Sequence, residues 1–180
     1  MKIVLRCHPQ PDEAAGHRLS RLQAQQWLEA TRPAPKDLGH LSPRPGGGGI
    51  VLCSAQTAAV AAAQRLFPDR RIEVKGAYLD PRPSLPKLPW LRLKPLAWQR
   101  LALAWWSLAG KSSGEEPETF KRRIIEASVR LTEVAKQADE AVLVAGPLML
   151  GRIALKLASI GWRGRFMRAF AWDEERSFEF

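Results

Sequence analysis

The chain of 180 residues contains no run of about 18 apolar residues, so nothing in it reads as a membrane-spanning helix. Its start carries Lys2 but no long apolar stretch leading to a small-residue cleavage site, and no secretory leader is expected. Cysteine is scarce as well. Cys7 and Cys53 are too few for a disulfide framework and suit a reducing compartment, which makes the cytoplasm the expected location. Acidic residues are outnumbered, 18 Asp plus Glu against 28 Lys plus Arg. The resulting net charge of +10 favours anionic partners (phosphate esters, nucleic acid or acidic lipid) without choosing among them.

Several chemistries are missing their residues. The glycines at 46–49 lack the Gly-Lys-Ser/Thr ending of a phosphate loop and read as flexible linker. A cysteine phosphatase loop needs an arginine six residues past the cysteine, where Cys7 meets Glu13 and Cys53 meets Ala59. Cys7, Cys53 and His8 offer two sulfurs and one nitrogen, an incomplete ligand set, so the cysteines read as small buried thiols. No metal and no cofactor are expected. His17 and His40 belong to no constellation.

What is present is a globular composition, 46% apolar, at the length of one domain with a proper core. Strand-like and helix-like segments take turns. Lys2–Arg6 reads as a buried strand. A helix is expected from about Leu19 to Thr31, with Leu19, Leu22, Gln26 and Leu28 near one face. A Pro- and Gly-rich loop follows, then a buried strand Ile50–Ser54, with Ser54 placed to cap an alanine-rich helix Ala55–Leu66. RRIEV is a short third strand, and the prolines of DPRPSLPKLPW exclude regular structure. A long amphipathic helix Glu116–Ala138, a strand Ala141–Gly146 and a helix Leu148–Ile160 come next, and the end of the chain alternates like an edge strand or hairpin. Apolar strands separated by helices imply a three-layer α/β/α fold with a mostly parallel sheet. Ligand sites in such folds lie beyond the carboxyl ends of strands, here Cys7-His8, Ser54 and Gly146-Pro147, which should be neighbours.

The opening MKIVLRCHPQPD, the segment IVLCSAQTAAVAAAQRL, the link LDPRPSLPKLPW and the segment AVLVAGPLMLGRIALKL, in that order, resemble the histidine phosphatase superfamily with its phosphoglycerate mutase-like fold. The likeness covers almost the whole chain as one domain, 1–180, with 80–115 as a cap insertion. It implies a histidine nucleophile that accepts a phosphoryl group, two arginines and a second histidine that hold the phosphate oxygens, and a carboxylate that protonates the leaving group. Fixed cations are needed because the transferring group spreads negative charge over its oxygens.

Carried over position by position, the resemblance puts His8 at the nucleophile. Cys7 then stands where the first arginine belongs, and Pro9 where a glycine belongs. Arg6 is adjacent, but strand alternation points it to the other face; a shift of one residue would make Arg6 the arginine and Cys7 the nucleophile position. The second arginine falls on Ala58, and the second histidine on Pro147, or on Gly146 in the slipped register. The proton donor falls on Ala77, with Asp80, Glu115 and Glu116 as substitutes from nearby loops. Arg6, Ser54, Arg82 and Arg152 are the candidates for holding an anion. Each missing charge-stabilising donor costs about 3 to 4 kcal/mol in the transition state, although such losses are not additive.

The expectation is therefore a catalytically degenerate phosphatase-like protein that binds a small anionic ligand or a protein partner. A weak or repurposed phosphomonoesterase using His8 is the alternative. A further one rests on the tryptophans: Trp90, Trp98, Trp105 and Trp106 gather in a helical cap region whose segment 95–109 is apolar nearly all round. Such a helix must be buried nearly all round. Packing of the cap would do that; so would a partner or, with Arg92, Lys94 and Arg100 alongside, peripheral contact with an acidic membrane. Nucleic acid comes last, since no RNA-binding signature accompanies the tryptophans. The oligomeric state is not legible.

Overall fold

The computed structural model describes residues 1–10, 17–29, 38–44, 49–81, 85–109, 115–166 and 170–180. Its strands are β1 (Lys2–Cys7), β2 (Val51–Ser54), β3 (Ile72–Lys75), β4 (Glu140–Ala145), β5 (Arg163–Gly164) and β6 (Glu175–Glu179). Its helices are α1 (Arg21–Glu29), α2 (Thr57–Leu66), α3 (Pro95–Ala109), α4 (Pro117–Ala138) and α5 (Pro147–Ser159). The described residues fall into two compact units.

The first unit holds one six-stranded sheet in the order β3-β2-β4-β1-β6-β5. β1, β2, β3 and β4 run parallel; β6 lies antiparallel to both β1 and β5. The architecture is the phosphoglycerate mutase-like α/β fold that the sequence implied. Period-two alternation divides the sheet residues. Val4, Val51, Cys53, Val142 and Val144 pack with Ala59, Ala62, Ala63 and Leu66 of α2. Ile3, Leu5, Leu52, Ala141 and Leu143 have the opposite parity and are equally buried, so both faces are covered. Parallel strands buried on two sides need apolar residues at every position, which is why IVL, VLC and AVLVA read as unbroken runs.

The second unit comprises residues 12–31 and 81–121. Ala24, Leu85, Trp98 and Ala102 form its buried cluster. Leu19 and Leu93 form an antiparallel bridge, and the Trp98 indole N–H donates to the Leu19 carbonyl at 2.8 Å. That bond satisfies the one polar atom of a ring that is otherwise fully enclosed.

Some expectations are corrected. Ser54 does not cap α2: the helix begins two residues later than expected, at Thr57, with Gln56 as a cap residue whose side chain makes no bond to the helix end. Ser54 instead ends β2 and its Oγ accepts the Gln56 N–H at 3.4 Å. Helix α1 starts at Arg21 rather than at Leu19, which belongs to the bridge, and Leu22 is 65% exposed while Ala24 faces inward. Of the two alternatives for the end of the chain, the edge strand fails, because β6 lies between β1 and the two-residue β5, with which it pairs antiparallel as in a hairpin. Only part of α3 is enclosed, because Trp105 is 45% exposed. Glycines 46–48 and Arg82 lie outside the described residues.

Candidate active site

Strand β4 lies between β1 and β2, so the ends at His8, Ser54 and Gly146 sit side by side. His8 follows directly on β1. Its N–H donates to the Ala145 carbonyl at 3.3 Å, and its own carbonyl accepts the Asp173 N–H at 3.4 Å. The residue is 1% exposed. Its ring Nδ1 donates to the Pro9 carbonyl at 2.8 Å, and Nε2 lies 2.6 Å from Gln56 Oε1. The Trp172 ring packs against it, centroid to centroid at 5.3 Å.

Two carbonyl-type acceptors suit a ring protonated on both nitrogens; a neutral ring needs the Gln56 amide turned to present its NH2 to Nε2. In either state Nε2 is occupied. Among the described residues no guanidinium hydrogen-bonds to this imidazole. Arg6, the nearest arginine in sequence, pairs with Asp173 at 2.5 Å, and the same carboxylate takes His40 Nε2 through its other oxygen. The positive charge of Arg6 is thus paired with a carboxylate in the turn before β6.

Asp80 is the carboxylate that reaches the strand ends. It follows the short 3₁₀ turn Gly76–Tyr78 after β3, and Oδ1 accepts the Met149 N–H at 2.7 Å in the first turn of α5. A helix N-terminus offers unpaired amides and a positive dipole end, which is where a carboxylate is most welcome. Gly146 permits the approach: a Cβ there would lie 2.5 Å from Asp80 Cγ and 2.8 Å from Oδ1. Burial pushes the Asp80 carboxyl above the usual carboxylate range, against the pull of the Met149 amide, His8, the Leu148 amide and Arg123. Arg123, on α4, donates to the Ala77 and Leu79 carbonyls at 2.6 and 2.8 Å and so holds the segment that carries Asp80.

The remaining expected residues are placed as follows. Ser54 is buried at the end of β2. Ala58 lies on the buried face of α2, Ala77 in the 3₁₀ turn, and Pro147 at the first position of α5. Arg152 is exposed on α5. Glu115 and Glu116 belong to the second unit, where the Glu115 carbonyl accepts the Trp106 indole N–H at 2.6 Å. Cys7 and Cys53 do not meet. Cys7 is in register with Ala145 and Cys53 with Val144, so all of β4 separates them. Two strand spacings put their Cα atoms about 9.6 Å apart, beyond disulfide reach. Burial raises both thiols, Cys53 to about 12.

Gln56, Arg123, Trp172 and Asp173 were not singled out from sequence. Only Gln56 carried a signal, its place two residues beyond a strand end. The others act through contacts made across 40 residues or more of chain.

No family model matches the chain, and no curated protein matches it either. Solved structures do. The chain superposes on a candidate alpha-ribazole-5'-P phosphatase from Escherichia coli with a TM-score of 0.54 and 15% identity, covering 98% of this chain and 89% of that one. An open reading frame of Mycobacterium tuberculosis aligns with a TM-score of 0.57 and 16% identity, covering 99% and 91%. The alpha-ribazole phosphatase from Shigella flexneri gives 0.54 and 13%, covering 98% and 89%. The chain shares the phosphoglycerate mutase-like α/β fold with these structures. At these identities the likeness speaks for the scaffold.

Proposed function

We propose that this protein is a phosphatase-fold protein without efficient phosphoryl transfer, acting by binding. The observation that carries the reading is the His8 ring, whose Nε2 is bonded to Gln56 and which packs against Trp172. A histidine that accepts a phosphoryl group needs a free nitrogen lone pair and positive charge around the incoming oxygens. Here Asp173 has taken Arg6, and Asp80 has taken the helix terminus where an anion would dock. An incoming phosphate would find that terminus filled by Asp80 and the Arg6 charge already paired with Asp173. A protein partner is therefore favoured over a small anionic ligand.

A second reading has its own support. The Nδ1 bond to the Pro9 carbonyl is the arrangement that leaves Nε2 as the reactive nitrogen of a neutral ring. Asp80, holding its proton more tightly than usual, is suited to protonate a leaving oxygen. On this reading the protein is a weak phosphomonoesterase, limited because no guanidinium among the described residues bonds to the imidazole.

Hydrolysis of p-nitrophenyl phosphate separates the two. Wild-type protein and the Gln56→Ala and His8→Ala variants should all run at the buffer rate, with no phosphohistidine detected by ³¹P spectroscopy. A wild-type rate that His8→Ala abolishes while the fold persists, or a rate that Gln56→Ala raises by freeing Nε2, would overturn the proposal in favour of catalysis.

A further inference from the structure

Helix α3 carries two apolar stripes, and the fold uses one fully and the other only in part, through Leu101. Pro95, Trp98, Ala102 and Trp106 recur at helical spacing and are buried. Ala97, Leu101, Ala104 and Trp105 form a second stripe at i, i+4, i+7 and i+8, rotated away from the first. Ala104 and Trp105 on it are exposed, and Ala97 and Leu101 are half-buried. A few residues before the helix, Trp90 stands 76% exposed in a turn. Two indoles facing water, one of them on a stripe whose Ala104 and Trp105 are left uncovered, are costly for an isolated protein and useful for one that docks.

Along positions 81–114 the charges are of one sign, with the acidic Glu115, Glu116 and Glu118 following in the same unit. Arg82, Lys87, Arg92, Lys94, Arg100 and Lys111 are the ionised residues of positions 81–114, with no Asp or Glu among them. Lys87, Arg92, Lys94 and Arg100 are exposed. A second copy of this chain would bring the same positive charge to the same face and be repelled. A surface of anionic headgroups would be attracted, and its acyl boundary would receive the stripe while indoles settled at the headgroup level.

We infer that the Trp90, Trp105 and α3 surface of the second unit docks on an anionic lipid bilayer, lying on it without crossing it. The surface is independent of the His8 region, so this stands whichever reading of that site holds. No described helix is long and apolar enough to span a membrane, which agrees with attachment in the interfacial plane.

The test is co-sedimentation of the full chain with vesicles of phosphatidylcholine alone or mixed with phosphatidylglycerol, alongside tryptophan emission. Binding should appear with the anionic vesicles at low salt, shift emission to the blue, and fade at about 1 M salt, where screening falls to roughly 3 Å. Arg92→Glu/Lys94→Glu/Arg100→Glu should weaken partitioning on the order of a hundredfold or more. Trp90→Ala/Trp105→Ala should remove most of the blue shift. Both variants alter exposed side chains, and an unchanged urea transition checks that they fold. Equal binding to neutral and anionic vesicles, or full binding by both variants, overturns the inference. So does a stable dimer that Trp105→Ala dissolves, or tryptophan quenching by a single-stranded oligonucleotide where vesicles give none.

Discussion

Replacing Gly146 by alanine tests how the strand ends are built. The residue has φ −78 and ψ 162, an extended conformation open to any amino acid, so backbone freedom does not demand glycine there. Space does. A Cβ would lie 2.5 Å from Asp80 Cγ and nearer still to Oδ2, so the carboxyl must move by about an ångström to reach van der Waals distance. That movement breaks its 2.7 Å bond from the Met149 N–H. Loss of a helix cap costs about 1 kcal/mol, and overpacking of a tight site adds about 1 to 3 kcal/mol. We expect Gly146→Ala to destabilise by about 3 kcal/mol, lowering Tm by roughly 6 to 12 °C for a chain of this size. The decisive measurement is a double-mutant cycle in urea. In an Asp80→Ala background the clash is gone, and the added methyl should be neutral or stabilising by about 0.4 to 1 kcal/mol through the unfolded state. The coupling between the sites should then exceed 2 kcal/mol or so. A cost under about 1 kcal/mol for Gly146→Ala, or the same cost with and without Asp80, would refute the close packing of that carboxyl on the helix terminus.

Two more outcomes follow from the same residues. Because burial raises the Asp80 carboxyl, the folded protein keeps a proton that the unfolded chain has released. Its stabilising effect is complete below the ordinary carboxylate value of about 3.9 and is lost as pH climbs from there. Asp80→Asn keeps an acceptor for the Met149 N–H and should show a shallower fall in urea midpoint from pH 4 to 8, with a midpoint at pH 7 no lower than wild type; parallel curves would count against it. Cys7 and Cys53 are fully buried with raised thiols, so neither should react with a disulfide reagent at pH 8 until the chain unfolds. Rapid native labelling of either would contradict the packing of β1 or β2.

The sheet was legible in the sequence because its information is local. IVL, VLC and AVLVA are apolar at every step, and only a strand enclosed on both faces demands that. Helix α3 begins where its pattern does, since Pro95 starts it. Boundaries failed where a contact from elsewhere intervened. Leu19 fits a helical face but was drawn into a bridge with Leu93, and α2 starts at Thr57 because Ser54 finishes a strand. The site was half legible: His8 and Asp80 were both named, but not what they touch.

Pattern alone therefore determined the buried strands, their parallel pairing, and a histidine and a glycine at strand ends, because burial and backbone geometry act over a few neighbouring residues. Tertiary structure alone decided which charges are spent. Arg6 meets Asp173 across 167 positions of chain, and Asp80 reaches the α5 terminus across 69. Ion pairs and caps of that span depend on which loops converge in space, and no local spacing encodes them.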